Sequence, residues 1–164
     1  MKKALHIVSL FSGALLLTLS SVSVAHYANN HGEIIALDGN GKEIRRTVEL
    51  AGEDGYLYPG DSKTLTLSCT LPNPGKATCS VYFSDFDGEL DVLTCKVSKD
   101  DYVSKDFALW RYTKSNPLTF DTVLDDGHKN FTFTFTVQDN GSEELVQECS
   151  FACHLKVENS KEGN

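Results

Sequence analysis

The stretch "NFTFTFTV", residues 130–137, alternates without a break: Phe131, Phe133, Phe135 and Val137 fall on one phase, and Thr132, Thr134 and Thr136 on the other. Side chains of an extended strand point to opposite faces in turn, so this period of two describes a half-buried strand; on a helix the phenylalanines would scatter around the axis. A sheet with one apolar face must bury it against a second layer. The period recurs in "KTLTLSCTL", where Leu65, Leu67, Cys69 and Leu71 share a face. After the turn signal Pro72-Asn73-Pro74-Gly75 it returns in "ATCSVYF", with Cys79, Val81 and Phe83 in phase, and the spacing predicts that these two segments form a hairpin. Further strands are expected at "EIIALD" and "KEIRRTVEL" around the turn "DGNG", then at "DVLTCKVS", "FALWRY", "LTFDTVL" and "LVQECSFACHLKV". No amphipathic helix is legible between Gly32 and Val157. Eight or nine short strands joined by Gly, Pro, Asn and Asp turns predict an all-β fold, a single β-sandwich of jelly-roll or immunoglobulin-like type.

The beginning of the chain does not fit this pattern. Lys2 and Lys3 precede an apolar run from Ala4 to about Leu19, and small residues follow up to Ala25. That order is a secretory signal peptide, residues 1–25, with cleavage expected after Ala25. The sandwich domain is then expected over 26–158 and a polar tail over 159–164, with no membrane segment after cleavage. Loss of Lys2 and Lys3 moves the formal charge from −8 to −10, and so acidic a surface repels phosphate backbones. Nucleic acid is excluded as a partner on this ground, and the expected location is extracellular or at the cell surface.

Five cysteines lie beyond the signal: Cys69, Cys79, Cys95, Cys149 and Cys153. Near the C-terminus "ECSFACHL" places two of them four apart, with His154 next to the second. On a strand rising about 3.3 Å per residue the two sulfurs are roughly 13 Å apart, too far to bond to each other or to grip one zinc ion. All five fall on the apolar phase of their strands and face one interior. In an oxidising destination the default reading is structural disulfides: Cys69 with Cys79 across the hairpin, and Cys95 with Cys149 or Cys153.

The order of these signals is similar to that of a known family. A hydrophobic export signal is followed by "LYPGDSKTLTLSCTLPNPGKATCSVYF", then "VLDDGHKNFTFTFTV", then "QECSFACHLKV". The chain resembles, over about Leu57 to Val157, the TasA/camelysin family of secreted jelly-roll proteins that form fibres in biofilm matrices. The family's Pro-Gly-Asp before its first core strand is matched by Pro59, Gly60 and Asp61. Its turn after that strand is matched by Asn73 and Gly75, and its Gly-headed alternating strand by Gly127 and Phe131 to Phe135. The chain departs from the best-known members in its five cysteines, and in having Tyr27 and Asn29 where the family begins with aromatic residues.

The remaining candidate sites are few. Cleavage after Ala25 would make His26 the first residue, and an N-terminal histidine binds copper through its amine and ring, with His31, His128 or His154 to complete the set. The carboxylates of "SDFDGELD", Asp85, Asp87, Glu89 and Asp91, lack EF-hand spacing and read as a solvated turn. Although camelysin-like proteins are described as metalloproteases, no H-E-x-x-H and no nucleophile elbow exists here, so no catalytic residue and no cofactor is expected. Sequons stand at Asn130 and Asn140. The leader from His26 to Asp38 begins polar and turns apolar at Ile34, Ile35 and Leu37. It is suited either to be the first strand of its own sandwich or to be donated to the open edge of a neighbouring subunit, a head-to-tail contact that generates filaments. The resulting expectation is a secreted, non-enzymatic structural protein of an extracellular matrix or surface fibre, with copies of itself as partners. A copper-binding sandwich and a monomeric adhesion or ligand-binding domain are the two other readings.

Overall fold

The computed structural model describes residues 30–52, 56–70, 74–88, 90–100, 102–124, 127–139 and 149–160. The expected signal segment, the leader up to residue 29, Asn73, Glu89, Asn140 and the tail from residue 161 lie outside the described residues. Among the described residues ten strands occur in chain order: β1 (Asn30–Leu37), β2 (Glu43–Glu49), β3 (Ser62–Thr70), β4 (Gly75–Gly88), β5 (Leu93–Lys99), β6 (Tyr102–Val103), β7 (Phe107–Ala108), β8 (Leu118–Leu124), β9 (His128–Val137) and β10 (Cys149–Asn159). They form two five-stranded sheets, one ordered β2-β1-β10-β4-β8, the other β3-β9-β5-β6 with β7 also paired to β5. Among the described residues no helix is long and apolar enough to cross a membrane.

The predicted hairpin between "KTLTLSCTL" and "ATCSVYF" does not form. β3 pairs with β9, and β4 pairs with β10 and β8, so the chain crosses from one sheet to the other between them. The same alternation continues from β4 to β5 and from β8 through β9 to β10, so successive strands change sheets around one interior. A turn signal fixes where a strand stops; it does not say which sheet the next strand joins. "FALWRY" is also corrected: only Phe107–Ala108 is strand, and Leu109–Arg111 make a single 3-10 turn that buries Leu109 and leaves Trp110 60% exposed.

The alternating phases do what the sequence requires of them. Phe131, Phe133 and Phe135 of β9 are fully buried, while Thr132 and Thr134 on the other face meet Thr66 and Thr64 of β3, hydroxyl to hydroxyl, at 3.0 and 3.3 Å. The two layers interlock through aromatic rings. Phe135 lies 5.0 Å from Phe151 of the opposite sheet, and Phe151 in turn packs edge-on against Phe83 at 5.9 Å. The Pro-Gly-Asp motif before β3 is a tight reversal: the Asp61 amide donates to the Tyr58 carbonyl at 2.9 Å, and Gly60 has φ +89°, a conformation that disfavours any side chain. The Gly60 amide then donates to the Val137 carbonyl at 2.8 Å, which sets the register of β3 against β9.

The expected disulfides are absent. All five cysteines are free thiols, each at most 1% exposed. None is the cross-strand partner of another: Cys69 lies opposite Lys129, Cys79 opposite Phe120 and Val157, Cys95 opposite Phe135 and Phe107, Cys149 opposite Gly88 and Asn30, and Cys153 opposite Phe83 and Ile34. The pairs within electrostatic reach, Cys69 with Cys79 and Cys95 with Cys153, come from opposite sheets. Neither pair is bridged. The thiols act instead as small apolar fillers between the aromatic rings. Burial pushes Cys69, Cys79 and Cys149 up to about 12 and raises Cys95 and Cys153 as well, so none forms thiolate near neutrality.

Two outcomes are expected. Phe133→Ala should cost about 3–5 kcal/mol in denaturant unfolding, whereas Thr132→Ala on the same strand should cost under about 1 kcal/mol. A thiol-specific reagent should find no reactive cysteine in the native protein and all five after unfolding without reductant.

Candidate functional site

The segment singled out in the sequence as a strand donor, Ile34, Ile35 and Leu37, lies on β1 within the chain's own sheet. There β1 is enclosed on both sides, pairing antiparallel with β2 and parallel with β10 from Asn30↔Cys149 to Leu37↔Lys156. Ile34 is fully buried, Ile35 is half-buried and Leu37 is 37% exposed, so of the three only Ile34 is wholly within the core. Asn30, Gly32 and Ala36 share the inner face with Ile34. Gly32 is required by close approach. A Cβ there would stand 2.5 Å from the Phe151 ring and 3.0 Å from Val48, so the ring that joins the two sheets also lies on the glycine of β1.

The hairpin of β1 and β2 is closed by a built turn. Asp38, 4% exposed, accepts the Asn40 amide at 3.0 Å, the Lys42 amide at 2.8 Å and the Thr70 hydroxyl at 2.8 Å. Two of these bonds are internal to the hairpin, and the third ties it to the end of β3. Among the described residues β2 has no strand beyond it, so the hairpin joins the rest of its sheet through a single ladder, β1 to β10. The outer strand carries Glu43, Arg45, Arg46 and Glu49, with Arg45 bonded to Glu43 at 2.6 Å and to Glu33 at 3.0 Å. Charges on an outer strand discourage indiscriminate edge pairing.

Among the described residues the histidines do not converge. His26 lies outside the described residues, His31 sits on β1 opposite Ser150 and Glu49, His128 opens β9, and His154 is on β10. Among the described residues no group of three or more His, Cys, Asp or Glu could hold a metal ion, the acidic turn at Asp85, Asp87 and Asp91 included. His154 has a partnership of its own: its ring stacks on Tyr82 at 4.4 Å, and its Nε2 is 2.8 Å from the Ser84 hydroxyl.

Three residues passed over in the sequence face inward where the apolar phase runs out. On β5 the buried series Leu93, Cys95, Val97 ends in Lys99, and on β8 Thr122 stands between Phe120 and Leu124. On β9 Lys129 precedes Phe131 in phase. A polar residue on an apolar phase is a legible signal, and it was available in "LTCKVSK", "LTFDTVL" and "HKNF".

The pKa of His154 is lowered from 6.5, first by burial and then by Arg45 and Lys114, against the opposing pull of Asp85 and Glu33. The unfolded chain therefore binds the proton more readily, and stability contributed by neutral His154 is present above the ordinary value and lost as the pH falls below it. Thermal unfolding should show the melting temperature decreasing from about pH 6.5 downward, and His154→Gln should flatten that part of the profile before carboxylate titration takes over.

Comparison with models of known protein families and with curated proteins finds no match to this chain.

Proposed function

We propose that the chain is a secreted, non-enzymatic structural subunit of an extracellular matrix or surface fibre, and that copies join by exchanging the β1–β2 hairpin. The observation that carries the reading is that this hairpin is held to its sheet by one ladder, β1 on β10. Leaving that ladder exposes the edge of β10 and the face of Phe151. The β1 of a second copy would restore the same register and the same glycine beneath the ring, so the closed and exchanged forms differ little in contacts. A copy that gives its hairpin to one neighbour and receives one from another makes a head-to-tail contact, which need not close on itself and, left open, propagates. The order of motifs shared with secreted fibre-forming jelly rolls, and the absence of catalytic motifs in the sequence, point the same way.

The reading predicts that protein beginning at His26, concentrated after export or refolding, forms filaments visible by electron microscopy. Gly32→Val, which drives a branched side chain into the Phe151 ring, should abolish them by blocking β1 from its groove in either copy. Glu43→Gln, on the outer strand, should leave them intact. A mature protein that stays monomeric at high concentration, or a Gly32→Val variant that still polymerises, overturns it.

A further inference from the structure

Where β4 gives way to β5, Phe86, Gly88, Leu90, Asp91 and Val92 line a cleft of about 810 Å3 together with Trp110 of the 3-10 turn. Its two aromatic side chains are exposed, Phe86 to 40% and Trp110 to 60%, and neither stacks on another ring. The backbone is bent to place one of them. β4 slips against β10 so that Asp87 faces Ser150 and Ser84 faces Ala152, leaving Asp85 and Phe86 together opposite Phe151, and Asp85 takes φ +53° at this bulge. Bulges re-aim side chains at the ends of strands, and a non-glycine residue in the left-handed region is held there at a cost.

The charge of the cleft narrows what can fill it. Among the described residues no Lys, Arg or His lines it, and the Asp91 carboxylate has no ion-pair or hydrogen-bond partner. Two aromatic faces beside an unneutralised carboxylate suit a guanidinium, which stacks on rings and pairs with carboxylates through the same plane. The chain has three arginines. Arg45 is bonded to Glu43 and Glu33, and Arg111 lies over the Tyr112 ring at 5.8 Å. Arg46, exposed on the outer strand β2, bonds only the Arg45 carbonyl, at 2.9 Å, and has neither acid nor ring beside it. Its own cleft is out of reach. Gly88 is level with Asn30 through Cys149, whereas Arg46 stands opposite Ile34 with β1 and β10 between β2 and β4, a separation of roughly 20 Å from strand spacing and rise.

We infer that the cleft receives Arg46 from a second copy of the chain, its guanidinium held between Trp110 and Phe86 and paired with Asp91. The two surfaces differ, so each copy offers a cleft to one neighbour and an arginine to another, and the contact can extend from copy to copy. It goes beyond hairpin exchange and does not need it, because β2 stands in the same place whether its own chain or a neighbour supplies it.

Trp110 is the chain's only tryptophan, so its emission reports the site directly. Protein beginning at His26 is concentrated at low ionic strength and followed by tryptophan fluorescence and sedimentation velocity. Association should accompany a shift of the emission to shorter wavelength, and both should reverse on dilution or added salt. Reversal on dilution separates this contact from hairpin exchange, which must break the β1–β10 ladder and yields filaments that outlast dilution. Asp91→Arg and Arg46→Asp should each leave a monomer, and an equimolar mixture of the two proteins should associate again, since each then carries the charge that the other's surface requires. Trp110→Ala should weaken association by about tenfold or more. The proposal is overturned if the wild type shows no reversible association, if either charge variant alone associates as the wild type does, or if the mixture stays monomeric. An emission shift with added arginine amide but none with protein concentration also overturns it, and assigns the cleft to a guanidinium from a different protein.

Discussion

The contact on which the rest of the structure depends is the packing of β9 against β10 across the interior. β9 contributes three buried phenylalanines to one sheet, and β10 answers from the other with Phe151. Phe151 touches Phe135 in the facing sheet, lies edge-on to Phe83 in its own, and covers Gly32 on the neighbouring strand. A single ring thus joins the two layers and sets how closely β1 approaches. Burying an aromatic side chain of this size is among the larger favourable terms in a domain so rich in short strands. The thiols around it matter for their volume, not their redox chemistry.

That arrangement explains why the cysteines could be read correctly in phase and wrongly in chemistry. Their positions on apolar phases were visible in the sequence, and all five are buried as those phases require. The Cys69–Cys79 bridge was inferred from a hairpin between β3 and β4 that the chain does not make, and the Cys95 bridge from an oxidising destination alone. Local turn chemistry and period are properties of a few adjacent residues. Sheet membership is decided by which long-range partner buries the most apolar face, and that is written nowhere in the local pattern.

The candidate sites show the same division. Ile34 to Leu37 were recognisable as a strand, and both possible fates of that strand were open; within one chain it occupies its own sheet beside β10. The parallel pairing of β1 with β10 had no local signal, since parallel neighbours are joined by distant connections rather than by a turn. Lys99, Lys129 and Thr122 were legible in principle, each being a polar residue on an apolar phase. No metal-ligand or catalytic spacing surrounds them in the sequence. What no period could reveal is that three strands from two sheets end at the same place.

The parallel ladder also orders events in time. β1 and β2 are among the first segments of the domain to leave the ribosome or a translocation pore, and β10 is the last, yet β1 pairs with β10 along its whole length. Throughout synthesis the early hairpin has one satisfied flank and one raw one, because the strand it waits for does not yet exist. Pairings between such distant segments are slow to form. If copies exchange this hairpin as proposed, completed neighbours and the chain's own unfinished end compete for the same backbone groups during that interval, and the rate of elongation, as well as equilibrium stability, decides which domain the first strand closes.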